Sequence, residues 1–498
     1  MKNFWLQDKS IAALAICMLA LAEIIDLTIV GVAVPHIMSS LGCNIQEISM
    51  VTTSYIVSAA VVIMMTGFMS QRFGSKKLIL ISTVLFGGSS ILCGMASSLP
   101  MMIFFRILQG IGGAFLPSMA QGYIVANFEG KEQERMMLIM TLTMVLGPII
   151  GPVLGGFLVE SYSWRWIFYV NVPLCVIAFI IISLKMVETT TKKVNFDFLS
   201  FFFMVIAFGF LEYFLDEGNS KDWLSSHEML IILEVGILGL IFFLWRAKTG
   251  KSVVNLSVFS NRNFALGTVY IFTFVVLMTG SIAFYATMLQ TGYGMPVDLA
   301  GYLCLPQGIS ALIGAGIATV LTKFLESRKI LLIGIGLFIL SGIMKSNFGI
   351  SWNYSSQIIS GILLGTSMTI IFVITLQIAF VGISSEQSSD AAGIFNFFRN
   401  IGSSVGTSIS SIIITRQQQV SWNELSGHIS SINPNLQQFV QMASPSSLVA
   451  QAGQLIQQQA YILANIDLFY FSTCSSIILI FITFFFRPGK SSTTVHLH

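Results

Sequence analysis

Apolar residues run along this chain in long stretches, not at the spacings of an amphipathic helix or a half-buried strand. A helix that crosses a bilayer needs about 20 mainly apolar residues. Fourteen stretches approach that length, at 11–33, 50–70, 78–97, 101–125, 136–159, 166–186, 197–215, 228–246, 264–289, 299–322, 330–346, 356–381, 391–414 and 463–486. Hydrocarbon offers no partner to a backbone N–H or C=O, so runs of this kind have to be helical. The pattern predicts an all-α polytopic membrane protein with fourteen spans. No small-residue cleavage site ends the first run, which is therefore expected to remain as a span.

The polar breaks set an orientation. With the first residues placed in the cytoplasm and each run crossing once, the cytoplasmic segments collect Lys2, Lys9, Arg72, Lys76, Lys77, Lys131, Arg135, Lys185, Lys192, Lys193, Arg246, Lys248, Lys251, Arg262, Lys323, Arg328, Lys329, Arg487 and Lys490. The opposite side receives Arg165, Lys221, Lys345 and Arg416, while Arg106 and Arg399 fall inside runs. That bias obeys the positive-inside rule and predicts an even number of spans with both termini cytoplasmic. Basic loops at Arg72–Lys77 and Lys323–Lys329 each follow the second run of a set of six, a faint internal repeat. The expected organisation is 6 + 2 + 6: a first bundle over 1–186, two extra helices over 187–262, and a second bundle over 263–498. A Gln- and Ser-rich segment at about 416–460 reads either as a solvated outside linker or as a docking element for a periplasmic partner.

Composition agrees with the pattern. The chain has 498 residues, of which 55% are hydrophobic and 9% charged, with a mean hydropathy of +0.83. A soluble domain carries about 25% charged residues. The net charge of +3 adds little. Six scattered Cys form no CxxC pair and read as packing residues. No clustered His, HExxH or GxxxxGK[ST] is present, so neither metal chemistry nor ATP drive is expected.

Ionisable residues within the runs are expensive, at about 2.5–3.5 kcal/mol each on insertion scales, and mark pathways. Glu23 and Asp26 lie three residues apart on one face of the first span. Arg106 lies in the fourth, Glu212 in the seventh, Glu234 in the eighth and Arg399 in the thirteenth. Asp26 and Glu23 can carry protons as a cavity alternates sides, or Asp26 and Arg106 can form a buried pair that ties two spans together. Glu212, Glu234 and Arg399 are candidate substrate or groove residues.

Two further patterns concern packing. Gly67 to Lys77 contains Gly67, Gln71, Arg72, Gly74 and Lys76 between spans two and three, and Gly74 permits a tight turn there. In the fifth span Gly147, Gly151 and Gly155 recur every four residues and make a smooth face for close helix contact. Pro148 and Pro152 favour a bend, and Gly156 extends the small-residue run.

These residues together resemble the major facilitator superfamily, and within it the fourteen-span drug:proton antiporters of the EmrB/QacA type. The resemblance rests on Asp26 to Pro35, Gly67 to Lys77, Arg106 to Gly110 with Gly112 and Gly113, and Gly147 to Gly156. Trp164 to Pro173, Leu215-Asp216 with Asp222-Trp223, and Arg399 with Gly402 and Gly406 are similar as well. It implies alternating access, with Asp26 as the coupling acid, Arg106 as its partner and Gly147 to Gly156 as a leak-tight antiporter helix. It also implies proton-coupled efflux of small organic molecules such as drugs, toxic compounds or siderophore-like metabolites, with no cofactor and no nucleic acid. The implied location is a bacterial inner membrane, where the outer segment resembles members that dock a periplasmic adaptor and an outer-membrane channel. The sequence departs from the pattern at Gln71, where the family has Asp, which weakens a charge-based lock between the halves. The thirteenth span lacks the extra acids of members that handle dications. An uptake symporter of the same fold is the remaining alternative.

Overall fold

The computed structural model describes residues 7–188, 191, 196–249, 253–348, 353–427 and 445–486. Lys2, Lys192, Lys193, Lys251, Arg487, Lys490 and residues 428–444 of the outer segment lie outside the described residues.

Among the described residues the regular elements are all helices. They are α1 Asp8–Leu41, α2 Ile45–Ile63, α3 Thr66–Phe73, α4 Ser75–Met95, α5 Leu99–Gly113, α6 Phe115–Asn127, α7 Gly130–Ser161, α8 Trp166–Tyr169, α9 Asn171–Lys185, α10 Phe198–Glu217 and α11 His227–Lys248. The order continues with α12 Arg262–Thr287, α13 Val297–Leu321, α14 Ser327–Ser346, α15 Tyr354–Ala379, α16 Ser388–Gly427, α17 Pro445–Ser475 and α18 Ile477–Phe485. Local chemistry sets several ends. Asn261 and Asn353 accept hydrogen bonds from the first backbone N–H groups of α12 and α15. Gly42 closes α1 in the left-handed conformation at φ 65°.

Eleven helices are long and apolar enough to cross a membrane, and thirteen if each of two bent pairs is one span. The pair α2 and α3 bends by 62°, and α7 bends by 45° between Gly130–Pro148 and Ile150–Ser161, where Pro148 and Pro152 interrupt the hydrogen-bond ladder. The expected thirteenth span, 391–414, falls within α16, whose 40 residues extend about 60 Å. Its Ser, Asn and Gly content keeps it from qualifying on apolarity, and its buried residues lie mostly in its first half.

α1 packs on α7 and α9, and α5 on α2 and α4. In the second half α15 packs on α13 and α14, and α16 on α12 and α17. α10 and α11 pair with each other, and α10 also touches α2 and α16. The turn between α10 and α11 holds Asp222 and Trp223 at φ 56° and 46°, with the Trp223 ring 5.4 Å from that of Phe214. Outward faces are apolar, as in Ile177, Ile180 and Leu184 of α9, Ile237, Ile241 and Trp245 of α11, and Phe481 and Phe484 of α18. Such surfaces suit lipid, not water.

Two expectations are corrected. The outer segment is not a linker in its described parts, because α16 continues to Gly427 and α17 begins at Pro445. Both helices pack against each other, and neither charge nor proline stops α16 until well past any bilayer thickness. Lys345, assigned to the outer side with the loop cations, is the penultimate residue of α14 and only 2% exposed.

Candidate functional site

The sequence places Asp26 in the middle of α1 and Arg106 in the middle of α5. Helix packing brings them into a direct pair, Arg106 Nη1 to Asp26 Oδ2 at 2.6 Å, with both side chains fully buried. The other Asp26 oxygen accepts from Gln109 Nε2 at 2.9 Å and Asn171 Nδ2 at 2.7 Å. Arg106 also donates from Nη1 to Gln109 Oε1 at 2.7 Å and from Nε to the Val51 carbonyl at 3.1 Å. Gln109 Nε2 reaches Ser90 Oγ at 2.8 Å. Tyr55 lies flat beneath the guanidinium at 4.2 Å, with Phe168 at 5.8 Å. Five helices, α1, α2, α4, α5 and α9, therefore meet at one charge pair.

A buried carboxylate with three side-chain donors is well compensated. Its protonation would leave Arg106 as an unpaired buried cation unless the helices shifted.

Glu23 faces a different neighbourhood. It is 2% exposed, its Oε1 accepts from Tyr55 Oη at 3.4 Å, and Oε2 has no hydrogen-bond partner among the described residues. Arg399 lies on α16, in the other half of the chain. Arg399 is half-buried and donates to Asn400 Oδ1 at 3.0 Å. Tyr55 thus touches both Arg106 and Glu23.

The glycines of α7 lie directly alongside. A methyl group on Gly147 would overlap Ile24, on Gly151 it would overlap Thr28, and on Gly155 it would sit 2.8 Å from Ile29. Thr28 Oγ1 lies 3.5 Å from the Gly147 carbonyl. The small-residue face therefore seats α7 on the stretch of α1 around Asp26. Gly156 points elsewhere, and a methyl group on it would meet no described atom within 4 Å.

At the other signature, Gly74 turns at φ 85°, and Lys76 Nζ donates to the Ser183 carbonyl at 2.8 Å. Gln71 Nε2 donates to Asp390 Oδ2 at 3.1 Å across 319 residues of sequence. Asn255 adds a contact at 3.4 Å, and Gly67 lies so close to Asp390 that any side chain there would collide. Nearby, Asn396 Nδ2 donates to Gln121 Oε1 at 2.7 Å. With Gln71 in place of an acid, the contact across the chain is a hydrogen bond between an amide and a carboxylate, joining α3 to α16. Arg72 lies on the exposed side of this turn.

The remaining candidates separate. Glu212 of α10 is 1% exposed and bonded to Ser404 of α16. Its neighbours Asp216 and Glu217 bond to Thr53 and Ser49 of α2, so α10 straps the two halves together. Glu234 lies on the exposed face of α11, apart from all of these. Among the residues that sequence reasoning passed over are Gln109, Asn171, Tyr55 and Asp390. Gln109 sits one turn from Arg106, and Asn171 interrupts an apolar run; both carried a signal of cost. Asp390 carried none, since it opens a helix next to a polar loop.

A buried acid and base on facing helices, a glycine-lined helix beside the acid, and a polar contact between α3 and α16 thus stand together in one helical chain. Residues 16–407 match the model of the Major Facilitator Superfamily. The chain belongs to that superfamily. It is a multi-pass membrane transport protein. It is similar to the Multidrug export protein EmrB of Escherichia coli K12, with 28% identity over 96% of this chain and 95% of that protein. The Probable multidrug resistance protein EmrY of the same organism is 27% identical over 95% of this chain and 94% of its own length. The Fatty acid resistance protein FarB of Neisseria gonorrhoeae is 28% identical over 94% of both chains. The crystal structure of the human organic anion transporter MFSD10 matches with a TM-score of 0.57, covering 94% of this chain and 99% of that one, at 11% identity. That likeness is one of fold alone.

Proposed function

We propose that the protein exports small organic molecules in exchange for protons by alternating access. The observation that carries the reading is the buried Asp26–Arg106 pair, with Gln109 and Asn171 on the free carboxylate oxygen and the α7 glycine face against it. Proton arrival at Asp26 would release Arg106, loosen α1 against α5 and α9, and let α7 rock on its glycine face. Glu23, linked through Tyr55 and opposed by Arg399, is the second proton carrier and the element that reports to the other half. Gln71–Asp390 serves as the latch of the cytoplasm-closed arrangement, and Gly67 allows the close approach it needs. Glu212 and Arg399 line the way between the halves.

On this reading the chain crosses fourteen times in a 6 + 2 + 6 order. The two bundles cover 1–186 and 263–498, with the extra helices in 187–262, and α16 supplies the span whose polarity hides it. Both termini lie in the cytoplasm of a bacterial inner membrane. The helical extension formed by α16 and α17 is the place for a periplasmic adaptor that leads to an outer-membrane channel. Drugs, toxic compounds and siderophore-like metabolites are candidate substrates. The name of FarB adds amphipathic carboxylates to the panel.

The test uses inside-out vesicles loaded with a proton gradient. Substrates should dissipate the gradient and accumulate inside with the wild-type chain and do neither with Asp26→Asn. Equal dissipation with Asp26→Asn would remove Asp26 from coupling. Proton-linked loss of preloaded substrate would instead identify an uptake symporter.

A further inference from the structure

Lys345 belongs to neither the Asp26 pair nor the latch, and the transport reading makes no use of it. Its side chain is 2% exposed, and its Nζ has no hydrogen-bond partner among the described residues. No acidic side chain forms an ion pair with it there. What surrounds it is aromatic and hydroxylic. The ammonium lies 4.3 Å from the centre of the Tyr285 ring and 5.4 Å from that of Phe469. It opens onto a small cavity of about 10 Å³ between α12, α14, α15 and α17, lined also by Ser281, Ser341, Ser472 and Thr473.

The hydroxyls divide into two groups. Ser341 donates to the Ser360 carbonyl and Thr473 to the Phe469 carbonyl. Ser281 and Ser472 are buried at 5% and 3%, and no hydrogen bond within the protein occupies their hydroxyls among the described residues. The cavity thus presents one cation and two spare O–H donors and no acidic group. Two ring faces stabilise an ammonium but do not supply the counter-charge that burial of a full positive charge calls for. Tyr285 itself is engaged with Gln357, which holds its ring in place over Lys345.

We infer that this cavity binds a small monovalent anion, held by the Lys345 ammonium and the Ser281 and Ser472 hydroxyls. The space, about 10 Å³, is room for about one small sphere and far below the 300–1,000 Å³ of sites for drug-sized ligands, so the ligand is a single halide ion, not an organic molecule. Its place within the second half, away from the Asp26 pair, makes it a separate site whose existence does not depend on the direction of transport.

The experiment uses the purified full chain in nanodiscs, with chloride as probe and gluconate as the control salt at equal ionic strength. Wild type should unfold at a temperature that rises with chloride and levels off, since a ligand specific for the folded state stabilises by mass action. It should also broaden the chloride-35 resonance. Lys345→Met should abolish both effects or weaken apparent affinity by about tenfold or more. Ser281→Ala with Ser472→Ala, which leaves the charge in place, should weaken it severalfold and decides the matter if Lys345→Met does not fold. A wild-type chain that responds equally to chloride and gluconate would overturn the proposal, and so would a chloride response that survives in the folded variants.

Discussion

Replacing Asp26 by Asn changes one atom and one charge at the best-connected point of the molecule. In the native chain Oδ2 faces Arg106 Nη1 at 2.6 Å, while Oδ1 accepts from Gln109 and Asn171. An asparagine can keep its oxygen toward Gln109 and Asn171 and then turns an NH₂ group toward the guanidinium, donor against donor. Turned the other way, it sets that NH₂ against two amide donors. Either orientation leaves Arg106, which is fully buried, without a counter-charge. Removal of one partner from a buried pair costs about 3–5 kcal/mol, or roughly two to four powers of ten in the folded-to-unfolded ratio. The contacts of Arg106 with Val51, Gln109 and the Tyr55 ring place the expectation at the lower end, about 3 kcal/mol. The assay is reversible unfolding in mixed micelles, run on Asp26→Asn, Arg106→Gln and the double variant. The double variant should be less destabilised than the sum of the singles by about 2 kcal/mol or more, since it buries no lone charge. Additive losses, or a single variant within about 1 kcal/mol of wild type, would refute the reasoning that this pair is both desolvated and mutually compensated.

Gly151→Leu would drive a branched side chain into Thr28; it should cost about 1–3 kcal/mol by overpacking and abolish export, read in the same micelles and in vesicles. Gln71→Asp would place a second carboxylate against Asp390, now 3.1 Å from the Gln71 amide; distances measured between spin labels on α3 and α16 should lengthen, and Asp390→Asn added to it should bring them back. Asp197, just ahead of α10, accepts two hydrogen bonds from Arg246 at 2.8 and 3.1 Å, and these, with the guanidinium charge, hold its carboxyl below the usual carboxylate range. Its contribution is therefore present at neutral pH and lost only as pH falls below about 4; Asp197→Asn should cost about 1 kcal/mol at pH 7 and show a smaller loss at pH 3.5, both measured by denaturant unfolding.

Much of this protein is legible along the chain. Long apolar runs admit no structure but helices. Asp26, Glu23 and Arg106 stand out because ionisable groups in such runs are too costly to persist without a partner. The four-residue spacing of Gly147, Gly151 and Gly155 announces a close helix contact, though not that α1 provides it. Partner identity is a long-range fact. Nothing near Gln71 in sequence indicates that the acid it meets is Asp390, because only the packing of α3 on α16 brings residues 319 positions apart within hydrogen-bond reach. Polarity misleads in both directions when the environment is another helix. The run at 391–414 is legible as a span, but the polar residues that follow it hide the continuation of α16 to Gly427 against α17. Lys345 reads as a loop charge because hydropathy counts a lysine as solvated wherever it stands. The tertiary structure alone, by closing Tyr285 and Phe469 over it, turns that lysine into a buried cation.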